Sequence, residues 1–284
     1  MIGPLIAPDA LETRLGASDL FVLDIRSTSE GGRQAFEAGH IPGSGHSDYE
    51  TGGWRVAADG AAGLLPPADR LSDLFGRLGL RPDDAIVIVS AGRGASDLAA
   101  AARVYWTLKA ARHPRVAVLD GGYRTWAADP SRAVETGPGI VKAATSYPVS
   151  YDDGVRSDLE QTLSSWRGKS ATFIDARSAS YFEGREKAPS AKVAGHIPGA
   201  SAYDYTRVVD PETLRLFPKE KLAEQFARIG EGPVINYCNT GHTAALNWFV
   251  LSEILGRDDV RLFDGSMTQW TQDPSRPVAT GPKS

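Results

Sequence analysis

The stretch PVINYCNTGHTAAL, Pro233 to Leu246, holds the only cysteine of the 284-residue chain. Val234 and Ile235 lead an apolar run that stops at Cys238. Small and polar residues follow (Asn239, Thr240, Gly241, His242, Thr243), and AALNWFVLSEILG then takes up the apolar spacing of a helix. The reading is a strand, a tight loop and a helix N-terminus, with the thiol at the strand's C-terminal end. In an open α/β sheet, that edge is where ligands bind. A loop curled around Cys238 can aim backbone N–H groups at the sulfur, and the helix end adds partial positive charge. Both favour the thiolate, which is the nucleophilic form. The helix end contributes only about 0.3–1 kcal/mol, less than one pKa unit, so the N–H cradle has to supply most of the activation. The loop chemistry alone leaves open a buried structural cysteine, a common state of free thiols.

The rest of the chain is one unit written twice. Phe21-Val22-Leu23-Asp24-Ile25-Arg26 is echoed by Thr172-Phe173-Ile174-Asp175-Ala176-Arg177. Gly39-His40-Ile41-Pro42-Gly43 recurs unchanged as Gly195-His196-Ile197-Pro198-Gly199. Late in each half, VAVLDGGYRTW (Val116 to Trp126) matches VRLFDGSMTQW (Val260 to Trp270), and DPSRAVETGP matches DPSRPVATGP. From Asp120 and Asp264 onward the offset stays at 144. Words kept in order at matching places mean duplication. Each unit reads as a strand, a loop, the GHIPG turn, then helix, strand, helix and strand. In the first half the pattern predicts a helix over Pro67 to Leu78, a strand over Ala85 to Val89, a helix over Asp97 to Ala111 and a strand over Val116 to Leu119. Strands alternating with helices imply mainly parallel sheets flanked by helices, the α/β class. The expected domains are 1–136, without catalytic function, and 156–284, carrying the cysteine, with a Pro/Gly/Ser-rich linker over 137–155. The counterpart of Cys238 falls near Ser90, in a loop that reads as about four residues longer.

Composition is ordinary for a globular protein, 42% hydrophobic and 23% charged. A net charge of −4 gives no nucleic-acid footprint, and no apolar run approaches the roughly 18 residues of a membrane span. The opening MIGPLIAPDALETRL lacks the basic segment and apolar core of a secretory signal. A cytoplasmic protein is the expectation, with a periplasmic one whose signal is absent from this chain as the alternative. A single cysteine excludes an intramolecular disulfide.

With the tandem DxR, the paired GHIPG, the Cys238 loop and the paired DGx₄W in view, the whole chain resembles the two-domain rhodanese sulfurtransferases of the thiosulfate/3-mercaptopyruvate type. The resemblance implies two rhodanese-like α/β domains, Cys238 as nucleophile and Cys238 to Thr243 as a six-residue active-site loop. It also implies sulfur transfer through a cysteine persulfide, with no metal or cofactor. The partners it implies are a small anionic sulfur donor and a thiol or cyanide acceptor, on a monomer or weak homodimer. Thiosulfate-using members usually carry basic residues just after the cysteine, and mercaptopyruvate-using members usually read Cys-Gly-Ser/Thr-Gly-Val-Thr. This loop keeps the hydroxyl and glycine positions of the second type but places Asn239 and His242 where Gly and Val would stand. A His242 imidazolium would add charge beside the sulfur, although an unperturbed imidazole titrates near ~6.5.

Arg177 follows the strand ending at Asp175. The resemblance makes it a clamp for the substrate anion, which a guanidinium fork suits; its twin Arg26 in the other half points equally to a structural ion pair. His40 and His196, present in both halves, read as braces of the turn. Trp126 and Trp270 read as packing residues under the DG turn. Arg185 to Lys192 lie in a DxR-to-GHIPG loop longer than its first-half twin, and read as a solvated loop or an anion-drawing rim. Two other functions fit the fold. A phosphatase would need an Arg near the end of a longer loop, but positions 244 and 245 are both Ala. A sulfur-carrier or binding module would keep the loop without turnover. A papain-like hydrolase has the residue types but no support from the strand–loop–helix repeat.

Overall fold

A computed structural model describes residues 2–282. The strands in chain order are β1 (Leu5–Ile6), β2 (Leu20–Asp24), β3 (Ser44–His46), β4 (Val56–Ala58), β5 (Ala61–Leu64), β6 (Ala85–Val89), β7 (Val116–Leu119), β8 (Thr172–Asp175), β9 (Ser201–Ala202), β10 (Val234–Tyr237) and β11 (Val260–Leu262). The helices are α1 (Pro8–Glu12), α2 (Gly32–Ala38), α3 (Ala68–Arg77), α4 (Ala95–Ala110), α5 (Gly122–Ala127), α6 (Leu159–Gly168), α7 (Ala179–Phe182), α8 (Lys219–Phe226), α9 (Thr243–Phe249) and α10 (Ser266–Trp270). Both strands expected in the first half, β6 and β7, fall where the pattern put them, and its helices end within two residues of expectation.

The chain divides into two compact units, and neither is continuous in sequence. One comprises everything up to Trp54, Pro66–Asp152 and Pro211–Leu216; the other comprises Arg55–Leu65, Asp153–Asp210 and everything from Phe217 on. Each therefore includes a short segment from the opposite half of the sequence.

The first unit is built on a parallel sheet in the order β1-β7-β6-β2-β3. All five residues of β6 are buried, as expected of a strand covered on both faces. On one face Ile6, Leu11, Val22, Val87, Leu119 and Trp126 pack together. The second unit repeats the order as β11-β10-β8-β9, again parallel. In place of β1 it has a single parallel bridge from Arg156 to Leu262. Here Phe173, Phe182, Ile235, Tyr237, Phe263 and Trp270 form the matching core. Trp126 and Trp270 are fully buried, and their indole N–H groups donate to the Ala133 and Pro277 carbonyls at 3.0 and 2.9 Å.

Residues 141–150 have no regular structure, yet they are tied to the first unit. The Thr145 N–H donates to the Gly76 carbonyl, and Tyr147 buries its ring edge-on to Phe75. The Tyr147 hydroxyl meets His113 Nδ1 at 2.6 Å, while His113 Nε2 lies 2.9 Å from the Asp84 carbonyl. Burial pushes the Tyr147 phenol up to about 12 and holds the His113 imidazole below its ordinary 6.5. A histidine with a depressed folded-state pKa takes up protons more readily when unfolded, so its stabilising contribution is lost as pH falls below 6.5. Urea unfolding at pH 7 and pH 5 should therefore show a larger drop in midpoint for the wild type than for His113→Gln. An equal drop would place the acid sensitivity elsewhere.

Candidate active site

Cys238 follows β10 directly and is 2% exposed. The loop runs from it to α9, whose N-cap is His242. Asn239, Thr240, His242 and Thr243 are partly exposed, while Gly241 is buried in the left-handed region at φ +70. The turn before α10 fixes this loop from behind. Ser266 Oγ accepts the N–H groups of Cys238 at 3.0 Å and Gly241 at 3.1 Å, and its proton goes to the Phe263 carbonyl at 2.8 Å. One donor and two acceptor sites are what a hydroxyl has, and all three are used. The Met267 and Thr268 N–H groups donate to the Cys238 and Asn239 carbonyls, both at 3.1 Å. Ser266 itself is fully buried with φ +50, a conformation that costs a non-glycine residue about 1–2 kcal/mol.

The first unit shows what that serine adds. There the Tyr123 and Arg124 N–H groups donate to the Ser90 and Ala91 carbonyls at 2.8 and 3.1 Å, which makes Ser90 the structural twin of Cys238. The residue at the place of Ser266 is Gly122, at φ +62. The backbone arrangement is shared, and the hydroxyl anchor is found only beside the cysteine. The expectation of a longer first-half loop is corrected here. Ser90 precedes α4 by five positions and Cys238 precedes α9 by the same five. The four extra residues of the first half lie in the following helix. It runs 16 residues as α4, against seven in α9 and five more in a π-helical turn over Val250–Ile254. Four residues are close to one helical turn, so the insertion adds about one turn to the helix.

Arg177 is 4% exposed and bonds back to Asp175, from Nε at 2.9 Å and from Nη2 at 2.5 Å. Nη2 also donates to the Gly195 carbonyl at 2.8 Å, and Nη1 to Asn239 Oδ1 at 3.3 Å. Burial alone would lower the Arg177 pKa, but the Asp175 carboxylate outweighs it and holds the guanidinium above its ordinary value. Arg26 repeats the pattern on Asp24 and the Gly39 carbonyl. Only Arg177 reaches a cysteine-bearing loop. Beside it, burial raises the Tyr237 phenol well above its usual range, and its oxygen accepts the Ile197 N–H at 3.1 Å.

The Rhodanese-like domain model matches residues 7–129 and again 157–273. The chain belongs to the rhodanese family. It is 33% identical over 287 residues to a protein of Pseudomonas aeruginosa named a probable 3-mercaptopyruvate sulfurtransferase, covering 98% of each. It is 31% identical over 278 residues to a thiosulfate sulfurtransferase of the same organism, covering 96% of each. Among solved structures, SseA from Escherichia coli, described as a 3-mercaptopyruvate sulfotransferase, superposes with a TM-score of 0.78 at 23% identity over 93% of this chain and 99% of that one. At that identity the likeness concerns the fold.

Within this rhodanese frame His40 and His196 act as braces. Their Nδ1 atoms lie 2.9 and 2.7 Å from the Phe36 and Phe182 carbonyls, and their rings stack on those phenylalanines at 4.0 and 3.7 Å. Arg185 is largely exposed and pairs with Glu183 at 3.0 Å, and Lys187 Nζ donates to the Ala191 carbonyl. Among the described residues no group of three or more His, Cys, Asp or Glu side chains is placed to hold a metal. Two site features were missed in the sequence. Ser266 looked like part of a repeated DG word. The β4–β5 hairpin has one local signal, Asp59-Gly60 at φ 53 and 75, the turn pair that a two-residue hairpin demands.

Both DxR ion pairs are buried, so breaking either strands a carboxylate. Arg26→Gln and Arg177→Gln should each lose about 3–5 kcal/mol of stability, measured by urea unfolding. A loss below 1 kcal/mol in either would show that its pair is not needed for folding.

Proposed function

We propose that this rhodanese is a sulfurtransferase that moves a sulfane sulfur from an anionic donor to a thiophilic acceptor through a persulfide on Cys238. The observation that carries the reading is the built loop around Cys238, anchored by a buried hydroxyl that the cysteine-free copy lacks. In the first step the Cys238 thiolate attacks the outer sulfur of the donor. A new S–S bond forms, and the electron pair of the broken bond leaves with sulfite or with the enolate of pyruvate. In the second step an acceptor such as cyanide or a thiol attacks the outer sulfur of the persulfide, and the Cys238 thiolate is released. Loop N–H groups stabilise the charge on sulfur, as oxyanion-hole donors do for oxygen. Thr240 and Thr243 offer hydroxyls to the same atom. The first unit is the non-catalytic one, with Ser90 at the nucleophile's place.

The donor preference follows from charge. Thiosulfate is a compact dianion that gains most from fixed cations next to the sulfur, and Cys238 to Thr243 contain no Lys or Arg. 3-Mercaptopyruvate presents one carboxylate, which Arg177 can meet through the Nη1 that rests on Asn239. We therefore place 3-mercaptopyruvate ahead of thiosulfate. Parallel steady-state kinetics should give the higher kcat/KM with 3-mercaptopyruvate at neutral pH, and Cys238→Ser should transfer no sulfur from either. Turnover surviving in Cys238→Ser would end the sulfurtransferase reading, whereas a higher kcat/KM for thiosulfate would overturn only the preference. Arg177→Lys keeps the charge and loses the fork, so its KM for 3-mercaptopyruvate should rise more than its kcat falls. The reverse pattern would make Arg177 a support of the loop alone.

A further inference from the structure

The β4–β5 hairpin comes from the half of the sequence without the cysteine, yet it is part of the compact unit that contains Cys238. Its far end meets the active-site loop. Gly63 has φ +84, and a Cβ built there would collide with the Thr240 carbonyl oxygen and lie 2.9 Å from the Thr240 Cβ. That carbonyl and the Gly241 N–H are opposite ends of one planar peptide unit. The N–H end is bonded to Ser266 Oγ at 3.1 Å. Gly63 and Ser266 therefore grip the Thr240–Gly241 peptide from its two ends, in the middle of the six-residue loop.

The hairpin is not free to retreat from an added side chain. The Leu65 N–H donates to Asp264 Oδ2 at 2.6 Å, and Arg156 Nε donates to Asp264 Oδ1 at 3.0 Å. At the other end, Gln272 Nε2 donates to the Gly60 carbonyl at 3.0 Å. With both ends of the hairpin held, a methyl group at position 63 has to be relieved by turning the peptide, which pulls Gly241 off Ser266. In the first unit, Pro211–Leu216 enters from the opposite half and sets Arg215 3.8 Å from Asp120, the twin of Asp264. The borrowed segment is thus common to both units, and the glycine contact is found beside the cysteine.

We propose that Gly63 is a positioning residue of the sulfur-transfer site, setting the orientation of the Thr240–Gly241 peptide and with it the cradle around Cys238. The proposal rests on Cys238 being the nucleophile. The test compares Gly63→Ala with Gly199→Ala. Gly199 has the same φ of +84 but nothing within 4 Å of its Cβ position, so both variants put a side chain at a positive φ and only one touches the loop. Alkylation of Cys238 by iodoacetamide is followed against pH, alongside kcat and KM for 3-mercaptopyruvate. Gly63→Ala should displace the alkylation profile and lower kcat by about 10²-fold, the order expected of a small misplacement of reacting groups, with KM little changed. Gly199→Ala should match the wild type in both. A wild-type profile in Gly63→Ala, or an equal displacement in Gly199→Ala, overturns the proposal. Should Gly63→Ala fail to fold, Ser266→Ala releases the N–H end of the same peptide and must show the displaced profile; a wild-type profile there overturns it as well. Alkylation needs no sulfur donor, so this outcome is read independently of whether Cys238 carries sulfur.

Discussion

The Ser266 hydroxyl ties three backbone groups to one buried point: the N–H of Cys238, the N–H of Gly241 and the carbonyl of Phe263. The end of β10, the middle of the Cys238 loop and the end of β11 are held together there. The surrounding bonds follow from this knot. Met267 and Thr268 can donate to the Cys238 and Asn239 carbonyls because the turn that presents them is fixed, and Asp264 in the same turn receives Leu65 and Arg156. A left-handed serine is unfavourable by itself, and its hydrogen bonds, each contributing about 0.5–1.5 kcal/mol net, offset that cost.

Two copies of one backbone differ at a few side chains. Ser90 stands where Cys238 does and Gly122 where Ser266 does. By the same correspondence Ile88 and Val89, both fully buried, answer Asn236 and Tyr237. The cysteine-bearing strand has thus taken polar groups into its core. Tyr237 satisfies its hydroxyl with the Ile197 N–H, whereas neither polar atom of the Asn236 amide has a protein partner. Buried polar groups of this kind cost stability, and the copy without the thiol does without them.

Much of this was legible in the sequence because duplication writes the same strand twice. The FVLDIR and TFIDAR words located β2 and β8, and alternation with helices gave parallel sheets. The Cys238 loop was readable from its small and polar residues between an apolar strand and an apolar helix. The anchors behind it were not. The bond from Ser266 to Cys238 spans 28 positions, and no local propensity points to it. The exchange of Arg55–Leu65 and Pro211–Leu216 between the two halves lies equally outside local pattern, since a hairpin's turn residues say nothing of which sheet it joins. The length comparison around Ser90 failed for a related reason: an offset counts extra residues without saying whether a loop or a helix holds them.

The central claim is that Cys238 carries the transferred sulfur in a loop built for it, and intact-mass spectrometry reads that directly. After incubation with 3-mercaptopyruvate and removal of excess donor, the wild type should gain one sulfur, about 32 Da as expected for a single covalent carrier, mapped to the peptide containing Cys238 and removed by cyanide. No gain in mass, or a gain that persists in Cys238→Ser, would contradict the account.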